Sequence, residues 1–467
     1  MQWLILALTL LVMAVLQRLA RVGSPEARAT LALGFLIVAA QLGGALARRL
    51  RLPRITGFLL TGLIVGRLWF HLVRPDDVDA LRFIFTGALA LIACAAGSQL
   101  DFARLRDRDA RAAVLRLAAA AMAAPFVAVA AVVLTVSPWF PLTAHQPFRD
   151  ALTVALMLGA VAAVSSPVVS WAVSSDSQTR ARASFARTIV DISIVQDVAA
   201  VLLVALLLLL AQPLASGGAT RPGTAALFLL RALGSIAAGI ALGAGLAQYV
   251  KLIRHHVVLV LVAAAFVIAQ AVRLLDLEPV LMGLAAGCTF ANVPPALRAE
   301  GERLKVELAR CALPVYTVFF ALAGADLRLD DLRELWPWAL LLAGLRVVYL
   351  RAAMRWVSRH STVAAVADVG RYGWLGLVSQ GGLVITIAAV LRRAFPEWGV
   401  TMESLIVAMV GVHLIAGPVC FQWALRRMGD VPEEAHAADD GDAAESRGSG
   451  RGGDGGGLAI VAGDSGM

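Results

Sequence analysis

Residues 155–173 read ALMLGAVAAVSSPVVSWAV, and residues 188–210 read TIVDISIVQDVAAVLLVALLLLL. Both segments are long and apolar enough to cross a bilayer as helices. Ser165–Pro167 interrupt the first segment, and Gln196 and Asp197 lie in the middle of the second. A carboxylate at that depth costs at least ~2.5 kcal/mol on insertion scales and so indicates a functional site, while a proline frees backbone carbonyls that can coordinate a cation. The stretch therefore predicts a secondary transporter with its ion site between these two helices.

The composition of the chain excludes an ordinary soluble protein. Of its 467 residues, 60% are hydrophobic and 16% are charged, and the mean hydropathy is +0.79, which is typical of a polytopic membrane protein. The net charge of +9 could suggest a nucleic-acid partner, but the arginines lie in short loops between apolar runs. That is the pattern of the positive-inside rule, so we expect a lipid bilayer around the chain and no nucleic acid.

About fourteen apolar segments predict an all-α membrane fold of about 13 to 14 transmembrane helices. The approximate spans are 1–17, 30–47, 54–73, 81–100, 112–136, 149–173, 186–211, 224–249, 256–274, 277–293, 307–325, 335–357, 370–394 and 402–426. We interpret residues 1–29 as an accessory N-terminal helix and loop, because they lack the basic n-region of a signal peptide. Residues 429–467 are acidic and glycine-rich, and they predict a disordered cytoplasmic tail.

Positive charge is concentrated in alternate loops. The dense loops carry Arg48, Arg49, Arg51, Arg54, Arg104, Arg106, Arg108, Arg111, Arg180, Arg182, Arg187, Arg298, Arg303, Lys305, Arg310, Arg355, Arg359 and Arg371. The loops between them are sparse, since Arg149, Arg221 and Arg273 are almost alone there. The dense loops and the C-terminus should therefore face the cytoplasm. Because arginine far outnumbers lysine, we expect a bacterial source and an inner-membrane location.

The interruptions suggest an inverted repeat within an antiporter domain at residues 30–428. We pair residues 30–211 with residues 256–426 and take residues 224–249 as a linker helix. An interrupted helix is then the fifth helix of each half. The second interruption consists of Ser379, Gln380, Gly381 and Gly382. Two broken helices from opposite halves would cross near the bilayer midplane with opposed helix dipoles. Glycine pairs also allow close packing in ordinary membrane helices, so both interpretations stay open for the two glycines.

Six motifs in order make the chain resemble the cation:proton antiporter superfamily, in particular its Kef-type potassium/proton branch. They are GALARRLRLPRITGFLLTGLIVG (44–66), GAVAAVSSPVV (159–169), VQDVAAVLL (195–203), LMGLAAGCTFAN (281–292), LPVYTVFFALAGADLRLDDL (313–332) and SQGGLVITIA (379–388). The resemblance implies a sodium/proton exchanger fold with two broken crossing helices, alternating access and a homodimer. Asp191 departs from the family pattern.

Asp197 is the predicted carrier of both substrates. Exchange requires one carboxylate that holds either a proton or a monovalent cation and faces each side in turn. An aspartate with the ordinary pKa of about 3.9 would rarely bind a proton at cytoplasmic pH, so such a carrier has to be desolvated. Gln196 occupies the position of a second acid in electrogenic relatives of the family that the chain resembles. One titrating carboxylate then implies electroneutral exchange, provided that Asp191 does not titrate in the site.

Two residues of the broken helix, Ser165 and Ser166, offer hydroxyls to the cation, while Pro167 keeps the helix open. Serines in membrane helices also commonly form hydrogen bonds with their own backbone.

Asp191 lies on the same helix as Asp197, about 120° around its axis. It is either an entrance or structural carboxylate, for which Arg187 is the candidate partner, or a residue that handles ions.

Three further polar residues lie in apolar segments. Arg346 can be a fixed countercharge for the crossing or for Asp197, but it cannot carry protons. His413 is either a pH-sensitive group or a packed, hydrogen-bonded residue of the core. Glu278 begins a helix beside Pro279, and we expect it to face the helix dipole without a role in transport.

The leading hypothesis is a secondary active antiporter of a monovalent cation, K⁺ or Na⁺, and protons. The alternatives are a sodium-coupled solute symporter of similar fold and a channel-like cation pathway, although no carbonyl filter motif is visible. An enzyme is not expected, because the sequence shows no nucleophile constellation and no His/Cys metal cluster. We expect no cofactor. The sequence does not identify a regulatory subunit.

Overall fold

The computed structural model describes residues 25–68, 73, 75–175, 180–211, 223–253, 257–326, 335–361, 364–395 and 397–429. Within this part of the chain there are helices and loops but no strands. The helices are α1 (Pro25–Arg49), α2 (Arg54–Leu63), α3 (Pro75–Ala80), α4 (Arg82–Gly97), α5 (Arg108–Thr135), α6 (Phe148–Ala162), α7 (Pro167–Ser174), α8 (Arg180–Ala211), α9 (Thr224–Ile253), α10 (Val257–Leu275), α11 (Pro279–Ala291), α12 (Arg298–Asp326), α13 (Trp336–His360), α14 (Ala364–Gly376), α15 (Gly382–Ala394) and α16 (Gly399–Gly429).

The described helices follow the predicted spans closely. Among these residues, nine helical segments are long and apolar enough to cross a membrane, and α2, α4 and α11 are shorter apolar helices. The prediction of an all-helical membrane protein with two broken helices is confirmed. The accessory helix at 1–17 and the tail beyond residue 429 lie outside the described residues.

Local chemistry explains where the two broken helices stop and restart. The first runs as α6 to Ala162, leaves helical geometry, and restarts as α7 at Pro167 with Ser166 as its N-cap. Proline suits this first position because its missing N–H would be unpaired there anyway. The second runs as α14 to Gly376 and restarts as α15 at Gly382, with Gly381 in an extended conformation before it.

The helices form two groups. Helices α5–α8 and α13–α16 contain both breaks, and we call them the crossing group; α1, α2, α4 and α9–α12 pack beside it as the scaffold group. The side chain of Arg426 donates to the carbonyl of Arg51, and that of Asn292 donates to the carbonyl of Leu100. These four residues lie at the end of the bundle that carries most of the described arginines. We call this the arginine-rich end.

Glycines bring the scaffold helices α4 and α11 into direct backbone contact. A Cβ on Gly287 would overlap the carbonyl oxygen of Cys94, and one on Gly283 would overlap that of Ala90. Small residues at these positions let the two helices approach closely, as is common in membrane proteins. The position of α11, and of the residues that precede it, therefore depends on these glycines.

Replacement of Gly287 by leucine is expected to force α4 and α11 apart and to destabilise the protein by about 1–3 kcal/mol or more, as overpacking does. The control is Gly245→Leu on α9, where a Cβ would meet no atom within 4 Å. Thermal unfolding in detergent should show a lower Tm for Gly287→Leu alone. Equal Tm values for the two variants would contradict this packing.

Candidate ion-binding site

The two broken helices meet at residues 163–166 and 377–381, which we call the crossing. The backbone N–H of Ser166 donates to the carbonyl of Ser379 over 2.9 Å. Gly381 lies so close to the Ser166 side chain that a Cβ there would overlap it. The serine Oγ also accepts from the N–H of Val169 at 3.3 Å and caps α7. The residues predicted to interrupt the helices, Ser165 to Pro167 and Ser379 to Gly382, are thus brought together.

Arg346 connects both broken helices. Its side chain is buried, with 1% of the residue exposed. Nε donates to the carbonyl of Ala162 at 2.8 Å, Nη1 to Val378 at 2.8 Å, and Nη2 to Val164 at 2.7 Å and Leu377 at 2.9 Å. Two of these carbonyls end α6 and two end α14, where a helix leaves orphan acceptors and a partial negative charge. One guanidinium therefore caps two helix C-termini.

Other side chains occupy further carbonyls of the crossing. The donors are Ser165 Oγ to Leu377 at 2.8 Å, Ser170 Oγ to Gly376 at 2.9 Å, Gln380 Nε2 to Val161 at 2.7 Å, and Gln196 Nε2 to Ala163 at 3.3 Å. Ser165 Oγ in turn accepts from Arg346 at 3.1 Å. The carbonyls that the sequence pattern offered as cation ligands therefore already have donors from the protein. Ser170 was missed, although its place one turn after Ser166 is a signal.

His413 belongs to the same network. Its Nδ1 lies 2.8 Å from Oε1 of Gln380, and its Nε2 lies 3.4 Å from the carbonyl of Ala343. Because the Gln380 amide nitrogen donates to Val161, its oxygen is the acceptor, and the histidine donates from Nδ1. Of the two interpretations open from the sequence, this geometry favours the packed, hydrogen-bonded residue, and it also fixes the orientation of Gln380.

Asp197 differs from these groups because its carboxylate has no donor. Both Oδ atoms are buried, and within the described chain neither accepts a hydrogen bond. The same holds for Oε1 of Gln196, whose amide nitrogen is anchored at the crossing. No ion pair joins Asp197 to Arg346 or to any other described cation. A buried carboxylate without a donor is costly unless a proton or a cation neutralises it, and carboxylate and amide oxygens suit a hard cation.

Asp191 has a partner of its own. It is fully buried on α8 and forms an ion pair with Arg104, which lies on a short 3-10 turn at residues 104–106 in the loop between α4 and α5. The sequence suggested Arg187, on the same helix, as the partner. Arg104 is the partner instead, because its loop packs against the arginine-rich end of α8. Asp191 is therefore tied to a loop rather than to the crossing.

A cavity of about 270 Å³ lies at the arginine-rich end between the two groups of helices. Its lining includes Arg54 of α2, Tyr316 of α12, and Trp171 and Ser175 at the outer part of α7. Tyr316 is buried, and neither its hydroxyl nor the Trp171 Nε1 has a hydrogen-bond partner within the described residues. The cavity thus reaches one arm of the broken helix along a wall that carries polar groups.

The comparison with protein-family models agrees with this arrangement. The sodium/hydrogen exchanger transmembrane model matches residues 7–426. The chain belongs to the sodium/hydrogen exchanger family. Its fold resembles the sodium proton antiporter MjNhaP1 from Methanocaldococcus jannaschii, solved at pH 8, with a TM-score of 0.62 and 16% identity over 87% of this chain and 99% of that one. The search of curated proteins finds no match.

Arg346→Lys tests the bridging contacts of this exchanger-family site. Lysine keeps the charge but cannot present a planar fork to four carbonyls, and hydrogen bonds from charged donors each contribute about 1.5–3 kcal/mol. We expect a Tm at least about 5 °C lower in detergent. Arg351→Lys, at an exposed arginine that lies over Trp374, should leave the Tm nearly unchanged. A matching Tm for both variants would show that the bridge does not stabilise the crossing.

Proposed function

We propose that this exchanger-family protein exchanges one monovalent cation for one proton by alternating access, with Asp197 as the carrier. The observation that supports this most directly is the buried Asp197 carboxylate, which lacks a hydrogen-bond donor beside a crossing whose other polar groups are paired. Such a carboxylate is stable when it binds either a proton or a cation, and the two compete for the same oxygens. Competition at a single acid is what couples the two fluxes.

Gln196 completes the proposed cation site with an amide oxygen. The Gln196 nitrogen is held by the carbonyl of Ala163, which orients Oε1 away from that bond. Ser165 and Ser166 stay in the proposal as hydroxyl oxygens of the crossing, although each already has a hydrogen-bond partner there. A neutral amide beside Asp197, where electrogenic antiporters of the resembled superfamily carry a second acid, favours the Kef-type branch.

The proposed stoichiometry of one to one rests on the other charged groups staying fixed. Arg346 is bound to backbone carbonyls of both broken helices, and arginine does not release its proton in proteins. Asp191 is neutralised by Arg104 and so need not exchange a proton with Asp197. Because only Asp197 exchanges a bound proton for a bound cation, each cycle moves one positive charge in each direction, and the exchange is electroneutral.

We also propose alternating access, which the position of the cavity supports. It lies at the arginine-rich end, which the positive-inside rule places in the cytoplasm together with the C-terminus. We propose a bacterial inner-membrane homodimer in which the crossing group moves against the scaffold group. Either K⁺ or Na⁺ fits a site made of carboxylate and amide oxygens.

Asp197→Asn tests the carrier. In inverted vesicles with an imposed pH gradient, a series of Na⁺, K⁺ and Li⁺ should each be tested for cation-driven proton release. The wild type should respond to at least one of them, and Asp197→Asn should lose the response by a factor of at least about 100, because an amide cannot take up a proton and has no negative charge to balance the cation. Asp109→Asn, at an exposed residue on α5, is the control and should keep full exchange.

Unchanged exchange in Asp197→Asn would remove the residue from the mechanism. Cation-driven uptake of a labelled solute without proton movement would favour the symporter, and currents far above the turnover of a carrier would favour the channel.

Asp191→Asn tests whether the second buried acid takes part. Because Asp191 is expected to be a structural partner of Arg104, the variant should retain exchange with the same cation-to-proton ratio, while removal of one partner of a buried ion pair lowers the Tm. The ratio is measured from the pH gradient at which net exchange stops. A changed ratio would mean that Asp191 carries a proton.

A further inference from the structure

Glu278 is a further buried acid, besides Asp197 and Asp191, and the proposed exchange cycle does not use it. Only 5% of the residue is exposed. Its Oε2 accepts from the N–H of Leu281 at 2.6 Å and caps α11, as a helix-start residue should. Its Oε1 lies 3.4 Å from the hydroxyl of Thr386 on α15, and the backbone N–H of Val280 also donates to the carboxylate. One carboxylate oxygen therefore caps α11, and the other faces the second broken helix.

The position of Glu278 ties it to the crossing. Two residues later, Val280 lies beside Gly382, the first residue of α15, and Thr386 follows one turn further along that helix. Neither Glu278 nor Asp197 forms an ion pair with a described cation, and the Asp197 oxygens have no donor. A charged carboxylate that is buried without a cation is costly, so Glu278 as well as Asp197 is stabilised when a proton or a cation accompanies it.

Glu278 lies on the side of the molecule opposite the cavity. Helix α11 ends at the arginine-rich end, where the side chain of Asn292 bonds to the carbonyl of Leu100. Its 13 residues span about 20 Å, which puts Glu278 toward the other end. Asp276, only two residues earlier, is exposed there and pairs with Arg231. Glu278 thus lies between the opposite surface and the crossing.

We infer that Glu278 is a staging site for the transported cation and proton, through which Asp197 exchanges them with the side opposite the arginine-rich end. This inference rests on the proposed exchange function and adds a residue to it. Thr386 contributes a hydroxyl to the same route, and the carboxylate oxygens bind a hard monovalent cation or a proton in turn. Because Glu278 precedes a scaffold helix, it stays on its own side of the membrane while Asp197 moves, so the one-to-one ratio is kept.

Glu278→Gln separates the staging role from the cap. Glutamine retains an oxygen that can accept from Leu281, but it neither titrates nor attracts a cation. With the cation supplied on the side opposite the arginine-rich end, the KM should rise at least fivefold, while the KM from the other side changes less than twofold. The pH for half-maximal exchange should move to lower pH by on the order of half a pH unit, because one negative charge near the carrier is gone.

Asp276→Asn is the matched control, since it removes an exposed negative charge two residues away and asparagine tolerates the positive φ of this position. It should leave both KM values and the pH profile unchanged. If wild-type vesicles exchange cations and Glu278→Gln keeps the wild-type KM on both sides, the staging site is wrong while the exchange function stands. If the wild type shows no exchange, the proposed function itself fails.

A second variant covers the case in which Glu278→Gln does not fold. Thr386→Val keeps the charge and the cap but removes the hydroxyl that faces Oε1. A KM that rises at least twofold only from the side opposite the arginine-rich end supports the staging site. An unchanged KM in this variant, together with misfolding of Glu278→Gln, would assign Glu278 to the cap alone.

Discussion

The guanidinium of Arg346 binds the two helix C-termini that meet inside the helical bundle. Breaking a helix within an apolar segment leaves backbone carbonyls without donors, and two such breaks at one place bring together two partial negative charges. Four carbonyls at the ends of α6 and α14 each receive a hydrogen bond from this one side chain. The crossing is stable because a permanent positive charge is buried beside those carbonyls. Arginine suits this position because it keeps its proton even when it is buried.

The same hydrogen bonds explain why Asp197 remains available. Most donors of the crossing are directed at carbonyls. They are the guanidinium of Arg346, the amides of Gln380 and Gln196, and the hydroxyls of Ser165 and Ser170. The Asp197 carboxylate and the Gln196 Oε1 receive none from the described residues. A site that must release its ligand in every cycle benefits from this arrangement, since a strong fixed donor would compete with both the proton and the cation.

The sequence predicts the features that depend on local chemistry. Pro167 and the pair Gly381 and Gly382 mark the breaks because proline and glycine act on their own stretch of backbone. Asp197 is conspicuous in an apolar helix whatever its neighbours are. The helix spans were likewise predictable, since hydrophobic length is a property of each segment alone.

Contacts between distant segments could not be predicted in the same way. Arg346 was a candidate countercharge, but its acceptors lie 184 residues away in one case and 31 in another, and no local pattern selects carbonyls. Asp191 has a nearby arginine on its own helix, yet its partner comes from a loop before α5. Glu278 looked like an ordinary helix-start acid, and only the tertiary structure places its carboxylate beside Thr386 of the second broken helix.

The most direct test of the account is the dependence of exchange on membrane potential in reconstituted vesicles. At a fixed cation gradient, the pH gradient at which net exchange stops is measured at zero potential and at about 100 mV, a difference of about 2.3 kcal/mol for each charge moved. If Asp197 is the single carrier and the charges of Arg346 and Asp191 do not change, this pH gradient should equal the cation gradient at both potentials. A pH gradient that changes with potential would show that more than one charge moves per cation and would contradict the assignment of exchange to Asp197 alone.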